Sequence, residues 1–149
     1  MNKIILFILL VSLDLGLKYI VQNNLLINSS INLNAFLDIV YVKNYGVSFG
    51  LFSGDIYYWV LVIVGLIIVL FIFFLMMISN KNLEKRAYFL IIAGAIGNIL
   101  DRAINSYVVD FISVHYKTFY WPAFNLADIY ITIGIIMLLM SFFIKSEDK

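Results

Sequence analysis

Six ionisable side chains sit in or beside stretches too apolar to hold them without partners: Asp14, Lys18, Asp101, Arg102, Asp110 and Asp128. Two of these could do chemistry. Asp110 lies in the apolar frame Val108-Val109-Asp110-Phe111-Ile112, and Asp128 closes Trp121-Pro-Ala-Phe-Asn-Leu-Ala-Asp128, directly ahead of the apolar residues 129–144. Neither has a cation within one helical turn in sequence. Apolar surroundings disfavour the charged form of a carboxyl, and two such groups brought together cannot both ionise easily, so they share a proton. The ionised member can take a proton from water while the neutral one donates to a carbonyl oxygen, which is aspartic-peptidase chemistry. The plainer alternative is that each Asp caps a helix or sits solvated in a loop.

The other four ionisable groups have partners by spacing. Asp14 and Lys18 are four apart and predict an ion pair. Asn98, Asp101 and Arg102 share one helical face and predict an Asp–Arg bond bracing the helices. Asn125 and Asp128, three apart, fall on one face at a helix start. His115 and Lys117 are expected to be solvated or interfacial, because no Ser or Thr partner in a recognisable motif supports a nucleophilic site. One His leaves no cluster for a metal, and the absence of Cys removes thiol nucleophiles and thiolate ligands.

The elements that must position these groups read as membrane spans. The chain is 64% hydrophobic and 13% charged with a mean hydropathy of +1.02, where a soluble domain carries about 25% charged residues. Its 149 residues suffice for one domain, and a net charge of +1 argues against a nucleic-acid binder. Four segments are long and apolar enough to cross a bilayer: about 3–21, 56–78, 87–104 and 126–144. Lys3 with the apolar residues 4–11 could pass for a cleavable signal, but Asp14 interrupts the run and no small-residue cleavage site follows, so a retained span is expected. Ala93-Gly94-Ala95-Ile96-Gly97 lets backbones approach closely, which puts the third span at the centre of the bundle.

Lys3, Lys81, Lys85, Arg86, Lys145 and Lys149 fall on one side of these spans, with only Lys43 and Lys117 in the loops opposite. Both termini should therefore be cytoplasmic. Tyr57-Tyr58-Trp59 and Phe119-Tyr120-Trp121 mark the outer helix ends as aromatic belts. The outer loops, about 22–55 and 105–125, carry β-prone runs at residues 33–42 and 108–116, with a turn at Asn44-Tyr45-Gly46. The expected fold is a single integral-membrane, all-α bundle of four transmembrane helices with a small β-rich element on the extracytoplasmic surface. Whether the two outer runs pair is left open by the sequence.

Five boxes occur in order: Asp14-x-x-x-Lys18, Asn44-Tyr-Gly-Val-Ser-Phe-Gly50, Gly94-Ala-Ile-Gly-Asn-Ile-Leu-Asp-Arg102, Val108-Val-Asp-Phe111 and Pro122-Ala-Phe-Asn-Leu-Ala-Asp128. Together, on four spans, they closely resemble the bacterial lipoprotein signal peptidases, the type II signal peptidases. The resemblance implies an aspartyl endopeptidase of the bacterial cytoplasmic (inner) membrane that cuts prolipoproteins on the N-terminal side of a diacylglyceryl-modified cysteine. It implies Asp110 and Asp128 as the catalytic pair, with Asn98, Arg102 and Asn125 supporting the site. By the same resemblance Asn44 and Gly46 help hold substrate, while Asp14, Lys18 and Asp101 serve structural integrity. No cofactor, metal or nucleic acid is implied; the partners expected are the prolipoprotein and membrane lipids, with the enzyme monomeric. The chain departs from the family pattern at Leu17, Ser48, Ala93 and Ile129, which touches fine substrate preference and removes no key polar residue.

Two other readings compete on pattern. A small transporter would place its essential carboxylate near the membrane midplane, whereas here the carboxylates gather toward the outer ends of the spans. A scaffold subunit would use Asp110 and Asp128 for stability alone. Phe49, Leu51 and Phe52 of the first outer loop are expected to close over a bound peptide and exclude water.

Overall fold

A computed structural model describes residues 2–46 and 57–143. The elements run α1 (Lys3–Asn24), β1 (Ser30–Asn34), β2 (Leu37–Asn44), α2 (Tyr58–Ile78), α3 (Asn82–Asn105), β3 (Val108–Tyr116), β4 (Phe119–Tyr120) and α4 (Leu126–Phe143). All four helices are long and apolar enough to cross a membrane. Large apolar side chains such as Ile8, Ile67, Phe71, Phe74, Leu139 and Phe142 are exposed on them, a surface suited to lipid. Ser48, Phe49, Leu51, Phe52, Lys145 and Lys149 lie outside the described residues.

The helix starts follow from local chemistry. The Asn2 side chain accepts the Ile4 amide at 3.0 Å and caps α1. At α4, Asn125 Oδ1 accepts the Asp128 amide at 3.0 Å and Asp128 Oδ2 accepts the Asn125 amide at 3.1 Å, a reciprocal box that satisfies two donors left open at a helix N-terminus. α3 ends on Ser106, left-handed with φ 69°, whose amide returns to the Arg102 carbonyl at 2.8 Å. That tight stop starts β3 within two residues of the helix.

The two outer runs do pair. One antiparallel sheet in the order β1-β2-β3-β4 gathers both loops at one end of the helices. Leu37 faces Val114, Ile39 faces Ile112 and Val42 faces Asp110, so β2 carries one extra residue between Ile39 and Val42. Such a bulge bends the strand and is a common way of aiming a neighbouring side chain. β3 is covered on both faces over Val108–Phe111. Val109 and Phe111 pack with Val21 of α1 and Tyr41 of β2, while Val108 and Asp110 line the cavity on the other face.

α3 is the central helix, packed against α1, α2 and α4 and most extensively against α4. Two glycines set that closeness. A Cβ at Gly94 would overlap the Ala127 carbonyl, and one at Gly134 would lie 2.7 Å from the Ala87 carbonyl oxygen. Backbone cannot swing aside as a side chain can. Gly94→Leu should therefore push α4 from α3 and destabilise the fold by about 3 kcal/mol or more, at the top of the overpacking range. Thermal unfolding in detergent checks this; a melting point within 2 °C or so of wild type would contradict the close-packing account.

Candidate active site

β3 and the first turn of α4 deliver Asp110 and Asp128 to one cavity. Asp110 is 4% exposed; Asp128 is only half-buried and more open. Each of their four carboxylate oxygens receives one N–H. Asp110 Oδ1 accepts from Asn125 Nδ2 at 2.7 Å and its Oδ2 from Asn44 Nδ2 at 3.0 Å. Asp128 Oδ1 accepts from Asn98 Nδ2 at 2.8 Å and its Oδ2 from the Asn125 amide.

The three asparagines are not free to flip. Asn44 Oδ1 accepts the Gly46 amide at 3.0 Å, Asn125 Oδ1 accepts the Asp128 amide, and Asn98 Oδ1 accepts Lys18 Nζ at 2.7 Å. Backbone N–H and ammonium groups can only donate, so each amide oxygen is committed and each NH2 is turned toward an aspartate. Asn125, with no exposed surface, ties the two carboxyls together through one side chain. The spacing of three between Asn125 and Asp128 thus serves helix capping and site assembly at once.

Burial, first, and the charge of Asp128, second, push the Asp110 carboxyl up to about 7; the N–H groups of Asn44 and Asn125 oppose this. Two carboxyls that repel each other's charge in a partly dry cavity can share one proton. That is the arrangement an aspartic hydrolase needs: one group to receive a proton from water, one to give a proton to a carbonyl oxygen.

Arg102, in the last turn of α3, donates to the Gly46 carbonyl and attracts the charges of Asp110, Asp101 and Asp128. With its amide on Asn44 and its carbonyl on Arg102, Gly46 is held at both ends, so the turn after β2 is pinned above the aspartates. The expected Asp–Arg bond does not form among the described residues. Asp101 instead accepts the Val109 amide at 2.8 Å and Asn105 Nδ2 at 2.7 Å, and lies 3.7 Å from Lys18 Nζ. Residues 101 and 102 are adjacent on a helix and point about 100° apart, so they cannot face one another. Asp101 acts on β3, fixing the strand one residue before Asp110.

Asp14 and Lys18 do pair, at 2.8 Å with both side chains 1% exposed. Asp14 also accepts the Ala127 amide at 2.9 Å, so α1 satisfies a donor at the start of α4. The nine polar residues expected at the site or in its frame, together with Gly46, therefore fall in one connected network around the cavity or directly behind it. His115 does not line the cavity. It is half-buried, stacked on Tyr120 with centroids 4.9 Å apart and 3.4 Å from Asp38 Oδ1, so it braces the sheet away from the aspartates. Lys117 is exposed, over the Tyr116 ring at 5.4 Å.

The cavity measures 710 Å³ and continues from the aspartates into an apolar groove between α2, α3 and α4, lined by Leu61, Val64, Ile68, Ile99, Ile131 and Ile135. Nothing in the spacing pointed to the contribution of α2. The signal available was Gly65, the lone glycine of that span, whose Cβ would sit 3.0 Å from Ile99 side-chain atoms.

Comparison with known proteins adds a family and close relatives. Residues 6–144 match the family model described as signal peptidase (SPase) II. The lipoprotein signal peptidase of Blochmanniella pennsylvanica is 42% identical over 140 residues, covering 91% of this chain and 85% of that protein. The lipoprotein signal peptidase of Thermodesulfovibrio yellowstonii is 40% identical over 131 residues, covering 87% and 86%. A bacterial membrane enzyme solved by the in meso method at 2.3 Å superposes with a TM-score of 0.85 at 28% identity, covering 99% of this chain and 94% of that one.

Proposed function

The chain belongs to the signal peptidase II family, a family of aspartic peptidases, and from that premise we propose that Asp110 and Asp128 are its catalytic pair. The reaction is hydrolysis of a prolipoprotein, releasing its signal peptide by a cut on the N-terminal side of a diacylglyceryl-modified cysteine. The observation that carries this reading is the set of three orientation-locked amides turned onto two carboxyls at the mouth of an apolar groove. A signal peptide is apolar and membrane-embedded, and the groove between α2, α3 and α4 offers it a matching surface that ends at the acids.

The chemistry runs in two balanced steps. Water, its proton passing to the ionised aspartate, attacks the scissile carbonyl carbon while the neutral aspartate protonates the carbonyl oxygen. The C–N bond of the resulting gem-diol then breaks as the first aspartate protonates the leaving amine and the second recovers a proton from a hydroxyl. The pair returns to one shared proton. Asn98, Arg102 and Asn125 hold the acids in place, Asn44 and Gly46 contribute to holding substrate, and Asp14, Lys18 and Asp101 keep the frame. No cofactor takes part in this scheme.

The chain works as a single multi-pass domain of the bacterial cytoplasmic membrane, in contact with lipid along its helices. Lys81, Lys85 and Arg86 at the α2–α3 end, against Lys43 and Lys117 at the sheet end, support cytoplasmic termini and a site toward the outer face. Both acids and every amide that holds them come from one chain, so a monomer suffices.

Purified protein in liposomes, given a diacylglyceryl-modified prolipoprotein and its unmodified twin, should shift only the modified one on a gel. Equal cutting of both would remove lipid recognition from the proposal, and cutting of neither by folded protein would remove the peptidase. The pH dependence follows from Asp110. Its proton is lost as pH rises through about 7, so kcat/KM should fall on the alkaline side with a midpoint near that value. A plateau extending past pH 9 or so would show that the pair does not work in the monoprotonated form.

A further inference from the structure

Resting on the assignment of Asp110 and Asp128 as the pair, we propose that Lys18 is a positioning residue which, through Asn98, keeps Asp128 the ionised member and leaves the shared proton on Asp110. Lys18 has work beyond neutralising Asp14. Its ammonium also donates to Asn98 Oδ1 at 2.7 Å, and Asn98 passes its own N–H to Asp128 Oδ1 at 2.8 Å. The chain Lys18–Asn98–Asp128 crosses three helices.

What distinguishes the two acids is the far end of each amide. The Asn44 and Asn125 oxygens rest on neutral backbone N–H groups, from Gly46 and Asp128, and their NH2 groups serve Asp110. The Asn98 oxygen rests on a cation. Hydrogen bonds in a chain polarise one another, so the Asn98 N–H is the stronger donor, and it serves Asp128. Asp128 also sits in the first turn of α4, where the helix dipole and the Asn125 amide favour negative charge. Asp110 lies in a strand, more deeply buried, with no dipole behind it.

The remaining cations act on both acids, so the asymmetry rests on the hydrogen-bond relay, the helix start and burial. From α3, Arg102 attracts Asp110 ahead of Asp128, and from α1 Lys18 acts on Asp110 directly as well as on Asp128 through Asn98; Asp14 and Asp101 are held against Lys18 itself. α2 brings only uncharged residues to the cavity. With Asp128 ionised and more open, it is the base that takes the proton from water. Asp110 is the acid that protonates the scissile carbonyl oxygen and recovers its proton when the C–N bond breaks.

Two variants test the relay by the pH profile of kcat/KM. Lys18→Met removes the cation. Asn98→Asp keeps an acceptor for Lys18, and so the buried frame, but turns an acceptor instead of a donor toward Asp128. In both, the acid limb should move up by roughly 1 pH unit or more, with kcat down about tenfold or further and KM little changed. Lys18→Arg should hold the limb near its wild-type position. A merely structural Lys18 would lower the yield of folded protein and leave the limb where it is. If folded Asn98→Asp superimposes on wild type, the relay is wrong, even where Lys18→Met fails to fold. The underlying pair fails separately, and only if Asp110→Asn or Asp128→Asn still cleaves.

Discussion

Asp110→Asn and Asp128→Asn should each reduce cleavage by about 10³-fold or more while leaving the protein folded. Either exchange keeps the shape of the side chain and removes the only group able to take or give the proton at that position. The structural cost is bounded. Asn44 and Asn125 are locked with their NH2 groups toward residue 110, so an amide there turns its own NH2 onto one of theirs, a mismatch worth about 1–3 kcal/mol. Against this, a neutral amide removes the penalty of ionising a buried Asp110, and above pH 7 the two effects oppose each other. Initial rates and a melting curve on the same preparations check both halves. A scaffold role for the acids predicts the reverse pattern, with normal turnover per folded molecule and a large drop in melting temperature.

The largest effect on stability should come from Asp14→Ala, at about 3–5 kcal/mol, the usual result of removing one partner of a buried pair. Lys18, 1% exposed, would lose its 2.8 Å counter-ion and keep Asp101 only at 3.7 Å. The Ala127 amide at the start of α4 would lose its acceptor as well. Gly97 belongs to the same joint, since a Cβ there would stand 2.7 Å from Asp14 Oδ2 and force the carboxylate off its partners. Thermal unfolding in detergent, with Asp14→Asn as the milder comparison, measures the loss. A melting point unchanged within 2 °C or so would mean that the pair contributes nothing net.

The helices could be read from the sequence because lipid leaves little choice: a span must be apolar along its length, and each apolar run became a helix. The central place of α3 was equally legible, since Gly94 and Gly97 have no better use than close approach. Asp110 stood out because a carboxylate in the frame of Val109 and Phe111 has no local partner. What could not be read is how residues far apart in sequence meet. Asn44 reaches Asp110 across 66 positions and Lys18 reaches Asn98 across 80, and no spacing rule spans such distances. The Asp101–Arg102 bond failed for a local reason, the angle between adjacent helical residues. The stacking of His115 on Tyr120 could not be read because strand β4, only two residues long, carries too little pattern to announce its pairing with β3.

The mass of the products released from a diacylglyceryl-modified prolipoprotein by wild-type protein in liposomes shows which bond is cut. Two species are expected, with masses that sum to substrate plus one water and the break immediately before the lipidated cysteine, and neither species with Asp128→Asn. Intact substrate after incubation with folded wild-type protein, or a break at another bond, would contradict the proposed cleavage.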